Sequence, residues 1–153
     1  MASGIIFGNK TLDVVFISMF AAQLYKFVTS SVIKRKFDWG RLWETGGMPS
    51  SHSSSVVSLV TAIAITCGVQ SAYFAIAVVF AIVVMYDAAG IRNAAGQHAG
   101  VINQLTEVFS NKYHIKFNNE KLKELLGHSR LEVFVGALVG LAIALLMRNY
   151  LLS

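Results

Sequence analysis

Apolar residues fall into long blocks rather than short alternating runs. The first block runs from Leu12 to Ile33, LDVVFISMFAAQLYKFVTSSVI, with one charge away from its ends, Lys26. Next comes Ser53 to Tyr86, 34 residues without a charged side chain. A helix crossing a bilayer needs roughly 20 largely apolar residues. This second block is too long for one such helix, and Gly68, Gln70 and Ser71 interrupt it as a tight turn would. It therefore divides into a helix from about Pro49 to Cys67 and one from about Ala72 to Ile91. A fourth block, Leu131 to Met147, carries the small residues Gly136, Ala137 and Gly140, which suit close helix packing. The pattern predicts an all-α integral membrane bundle of about four transmembrane helices.

Between the third and fourth blocks the periodicity changes. Ala95, Ala99, Ile102, Leu105 and Phe109 recur at spacings of three and four, the signature of an amphipathic helix that extends the third span into the interface. Asn118 or Asn119 is placed to cap a short helix, EKLKELL, ended by Gly127. No internal repeat, linker or low-complexity stretch divides residues 1–153, which read as a single membrane-embedded domain.

Composition agrees with this pattern. Of 153 residues, 55% are hydrophobic and 14% charged, against about 25% charged in an ordinary soluble domain. The one cysteine, Cys67, excludes an internal disulfide and reads as a small buried hydrophobe. No cleavable signal peptide is evident. Net charge is +5, yet the basic residues lie between apolar blocks, which argues for lipid contact and topology and against nucleic acid. Ten of the thirteen Lys and Arg fall in the segments 34–50 and 92–130. With four spans both segments lie on one side, and the positive-inside rule makes that side cytoplasmic in an inner or plasma membrane.

Three features carry chemistry. GGMPSSHSS, Gly46 to Ser54, opens the second helix. Its glycines, the hydroxyls of Ser50 and Ser51, His52 and a helix N-terminus are the parts of a phosphate site; plain serine capping is the competing reading. GHSRLEV, Gly127 to Val133, opens the fourth block, and His128 and Glu132 share a helix face. A carboxylate beside an imidazole orients a nucleophile or base, or alternatively complements the helix dipole. Third, Lys26 and Asp87 are charges within apolar helices, which line a site or pair with each other. Gln23 shares the face of Lys26, and Arg92 at the inner end of the third helix suits a phosphate or anchors topology. His114 falls in a loop. There is no phosphate-binding P-loop, no HExxH and no Cys/His metal cluster.

GGMPSSHSS, YDAAGIRNAAG (Tyr86 to Gly96) and LKELLGHSRLEVFVG (Leu122 to Gly136), taken in order, resemble the divergent branch of the type 2 phosphatidic acid phosphatase superfamily, which is related to acid phosphatases and vanadium-dependent haloperoxidases. The resemblance implies a metal-independent lipid phosphate phosphatase without cofactor. His128 would be the nucleophile that becomes phosphohistidine, Glu132 its orienting carboxylate and His52 the general acid. Lys26, Ser50, Ser51 and Arg92 would bind phosphate, with Asp87, Gln23 and Glu124 in support. His98 is a rival nucleophile, since it lies at the superfamily's usual spacing from Arg92; Ile102 then stands where a supporting Asp belongs. Ser51 replaces the glycine of the superfamily's PSGH motif, Lys26 lacks the following Arg-Pro, and the spans are fewer than the usual six. The expected substrate is a phospholipid of phosphatidylglycerol phosphate or phosphatidic acid type, with polyprenyl pyrophosphate less favoured and a homo-oligomer left open. Two other classes stay in view: a non-catalytic lipid-binding or scaffold protein, and a transporter component using Lys26 and Asp87. Asp87, Glu124 and Glu132 are enough carboxylates to bind a metal if they converge.

Overall fold

The computed structural model describes residues 3–34, 47–113, 121–122, 124 and 127–153. Six helices form in these residues: α1 (Lys10–Lys34), α2 (Ser51–Cys67), α3 (Ala72–Ala89), α4 (Ile91–Tyr113), α5 (Arg130–Leu146) and the short α6 (Arg148–Leu152). The turn expected at Gly68 is there. Gly68 takes a positive φ of 80° and Ser71 caps α3 by accepting from the Phe74 N–H. Gly68 can hold that φ because it lacks a Cβ.

Helix α2 lies at the centre, packed on α1, α3 and α5. The contact surfaces are made of small residues. Ala22, Ala62, Ala77, Ala81 and Ala144 are buried, as are Ser18, Ser53, Ser54 and Ser58. Large apolar side chains such as Ile76, Val79, Phe80, Val83 and Phe134 point outward instead. In lipid no hydrophobic force drives helices together, so association rests on close packing of small residues and on interhelical hydrogen bonds. The buried serines supply such bonds: the Ser18 and Ser54 hydroxyls lie 2.7 Å apart, one donating to the other, and each is 3.2 Å from the other residue's carbonyl oxygen.

Helices α2 and α5 touch at backbone level. A Cβ on Gly136 would lie 2.3 Å from the Ser50 carbonyl oxygen, and one on Gly140 2.2 Å from that of Ser54. The Ser50 N–H donates to the Glu132 carbonyl at 3.1 Å across the same contact. At the far end of the bundle Asp13 accepts from the Phe7 N–H, the Ile6 N–H and the Tyr150 hydroxyl, joining the start of α1 to α6.

Among the described residues two stretches are long and apolar enough to cross a membrane, Lys10–Val32 and Ala72–Tyr113, while α2 and α5 have 17 residues each. The second stretch, 42 residues, would run roughly 63 Å as one helix, but it breaks at Gly90. Helix α3 therefore ends at Ala89, two residues before the expected limit, and the amphipathic α4 follows.

Three other expectations are corrected. Helix α2 begins at Ser51 rather than Pro49, because Ser50 is the N-cap and its hydroxyl accepts from the Ser53 N–H. Cys67 is exposed, since it closes α2 beside the Gly68 turn. In the stretch expected to form the EKLKELL helix, Lys121 and Leu122 are irregular and Glu124 lies in a bend, while the rest falls outside the described residues, as does His114. Asn103 supplies the physical reason: it bonds both the N–H and the carbonyl of Leu122, groups a helix would otherwise use.

Candidate functional site

The N-termini of α2 and α5 and the α3–α4 junction meet in one cleft. His52, Val84, Asp87, Ala88, Arg92, Gly127 and His128 line it, around a cavity of about 30 Å³. His52 comes from the first turn of α2 and His128 from just before α5. Their ring centroids are 6.3 Å apart and their planes inclined by 58°. His52 is exposed to the cleft, whereas His128 is only 3% exposed.

His128 is held from four directions. Its Nδ1 lies 3.0 Å from Glu132 Oε2. Its backbone N–H donates to the Ala88 carbonyl at 3.0 Å, and its own carbonyl accepts from Asn93 Nδ2 at 3.2 Å. Gly127, at φ 87°, lies so close to α4 that a Cβ would meet the Asn93 nitrogen at 2.4 Å. The Glu132 carboxylate also closes a capping box: Oε2 accepts from the Ser129 N–H at 3.1 Å, and the Ser129 hydroxyl accepts from the Glu132 N–H. With Nδ1 turned to a carboxylate, Nε2 is the nitrogen left for chemistry, and the carboxylate stabilises a positive imidazole.

The cationic residues divide. The Arg92 Nε donates to Asp87 Oδ2 at 2.6 Å, so the terminal nitrogens of the guanidinium are turned away from that bond. Of the two readings of Asp87, a pair with Lys26 or a place in the site, the second is nearer: Asp87 lines the cleft and the break at Gly90 brings Arg92 back onto it. Lys26 is buried, its stem against Gly47, and its charge acts with that of Arg92 at the His52 ring. Gly47 has a positive φ of 93° and would bring a Cβ within 3.2 Å of Lys26 Cδ, so the glycine lets the loop close over the lysine.

Other predicted residues lie elsewhere. Ser50 is fully buried, and its hydroxyl is used by the Ser53 N–H and Ser53 hydroxyl; Ser51 is 5% exposed. Neither lines the cleft, and Ser50 serves as the helix cap. Gln23 sits half-buried on α1, one turn before Lys26. Glu124 accepts from Asn103 Nδ2 at 2.8 Å and rests over Gly100, away from the cleft. His98 is exposed on α4 and does not line the cleft. Among the described residues no group of three or more His, Cys, Asp or Glu is placed to hold a metal ion. Asn93 went unnoticed in the sequence, where its only mark is standing next to Arg92.

Comparison with known proteins now bears on this geometry. No solved structure matches the chain. An uncharacterized membrane protein of Bacillus subtilis (strain 168), YuiD, is 41% identical over 138 residues, covering 84% of this chain and 87% of the relative. Residues 7–143 match the divergent PAP2 family. That span takes in α1 through most of α5 and every residue lining the cleft. With its small-residue interfaces and outward-facing apolar side chains, the chain is a membrane protein, and it belongs to the divergent PAP2 family.

Proposed function

We propose that the cleft is the active site of a lipid phosphate phosphatase working through a phosphohistidine. The observation that carries this reading is the pair of facing imidazoles, one of them fixed by a carboxylate. Attack and proton transfer each need contacts of about 3 Å, so the two rings have to face one phosphoryl group, as two imidazoles lining the same cleft do.

His128 Nε2 attacks phosphorus while the bond to the lipid oxygen breaks. Protonated His52 gives its proton to that oxygen, and the lipid alcohol leaves. Water then attacks the phosphohistidine, His52 takes its proton, and inorganic phosphate departs with His128 restored. Glu132 holds Nδ1–H throughout and stabilises the positive ring. Arg92 and Lys26 supply the positive charge that spreads over the phosphoryl oxygens.

Several features favour a lipid phosphomonoester such as phosphatidylglycerol phosphate or phosphatidic acid. Val84 of the apolar helix α3 lines the cleft one turn from Asp87, so an acyl chain and a phosphate fit side by side. Four spans, with α2 and α5 short enough to thin the bilayer locally, would put the basic segments and the cleft on the cytoplasmic side. A second reading is lipid binding without turnover, since the Arg92–Asp87 bond withholds part of the cleft's positive charge from a phosphoryl-transfer transition state.

The test is phosphate release from both lipids by the purified protein in detergent, with and without chelator. Chelator-resistant release, lost in His128→Ala and kept in His98→Ala, is the expected result. Lipid binding without release by folded protein would support the second reading. Release abolished by chelator would overturn the metal-independent mechanism.

A further inference from the structure

Helix α4 is 23 residues long and, among the described helices, packs only on α3, from which Gly90 separates it. Its two sides differ. Ile91, Val101, Ile102, Leu105, Val108 and Phe109 are each about half exposed or more. Successive residues turn by about 100°, and this spacing gathers these side chains on one side of the helix. The opposite side is engaged: Gly96 and Ala99 are buried, Asn93 donates to the His128 carbonyl, and Asn103 bonds Leu122 and Glu124.

We propose that the apolar face of α4 seats on the bilayer surface, and that Asn93 and Asn103 on its other side clamp the segment leading into His128 against that seat. The occupant is lipid for three reasons. The face begins at Ile91, five residues after the last of the outward-facing Val79, Phe80, Val83 and Tyr86 of α3, so both apolar surfaces belong to one stretch interrupted only at Gly90. The helix cannot rotate to hide this face without breaking the asparagine bonds. Nor does it suit a crossing orientation, which would put Arg92, Asn93, Gln97, Asn103, Gln104 and Glu107 into hydrocarbon. A helix of this kind lies in the interface with its apolar side roughly 5–10 Å deep. The consequence for turnover rests on the function proposed above; the seating and the clamp do not.

Spin labelling tests both parts in full-length protein reconstituted into phospholipid vesicles. In a Cys67→Ser background, labels attached through Ile102→Cys, Leu105→Cys and Phe109→Cys should collide with dissolved oxygen and be shielded from a water-soluble nickel chelate. Labels at Gln104→Cys, Glu107→Cys and Asn111→Cys should show the reverse, so that the oxygen-to-nickel ratio oscillates with a period of about 3.6 residues. Equal nickel access on both faces would overturn the seating. So would spin–spin broadening confined to the apolar positions, which would mean that a second copy covers the face. For the clamp, a label at Lys121→Cys should gain mobility when Asn103→Ala is added while the α4 pattern persists; an unchanged line shape would overturn that part. Neither readout needs turnover, so a failure here is distinct from a failure of the phosphatase reading.

Discussion

Glu132 Oε2 bonds both His128 Nδ1, at 3.0 Å, and the Ser129 N–H, at 3.1 Å, so one carboxylate oxygen starts helix α5 and orients the imidazole beside it. Cap and catalytic geometry are thereby joined. Glu132→Gln keeps the shape and a capping oxygen but removes the charge that stabilises a positive ring. Phosphate release should fall by on the order of 10²–10⁴, while thermal stability drops by about 1 kcal/mol or less. Steady-state assays and thermal unfolding on one preparation separate the two effects.

Asn93 bonds the His128 carbonyl rather than its imidazole, so it acts as a positioning residue. Asn93→Ala should lower kcat by on the order of tenfold, a loss of about 1.4 kcal/mol in the barrier, and leave KM nearly unchanged. A change in KM with kcat preserved would place Asn93 in contact with substrate instead.

Gly136 has no room for a side chain against the Ser50 carbonyl. Gly136→Ala should therefore destabilise the protein by roughly 1–3 kcal/mol, the usual cost of overpacking. It should also reduce activity by moving the start of α2, and His52 with it, away from α5. Leu138→Ala, at an exposed position of the same helix, serves as the control in thermal unfolding and in release assays.

Asp87 holds Arg92 from one side, and both side chains are partly exposed, 36% and 52%. Asp87→Asn should strengthen binding of inorganic phosphate by a few-fold, in line with an exposed ion pair worth roughly 0.2–1 kcal/mol. Stability should change little. Titration calorimetry on the detergent-solubilised protein measures the affinity; weaker binding would show that orientation of Arg92 outweighs its neutralisation.

Local signals in the chain located the helices well. Gly68 and Ser71 marked the α2–α3 turn because a positive φ and a serine cap are written in single residues. The pairing of His128 with Glu132 was legible because four residues make one helical turn. What escaped was set by contacts between distant segments or by a break in a helix. Asp87 and Arg92, five apart, would stand about 140° apart on an unbroken helix, by the 3.6-residue turn. Only the interruption at Gly90 brings them together. Asn93 reaches across 35 residues to the His128 carbonyl, a relationship with no periodic trace. Ser50 shows the converse: its type fitted both a cap and a phosphate ligand, and only burial separates the two.

The glycine contacts between α2 and α5 bear on how the cleft responds to its surroundings. Changes in bilayer thickness or lateral pressure act on outward-facing side chains such as Phe134 and tilt whole helices. Where two backbones already touch, at Gly136 against Ser50 and Gly140 against Ser54, there is no compressible layer of side chains between them. Helices α2 and α5 should therefore tilt as one body and carry the gap between His52 and His128 with them. The protein thus keeps a fixed gauge in a solvent that is itself deformable.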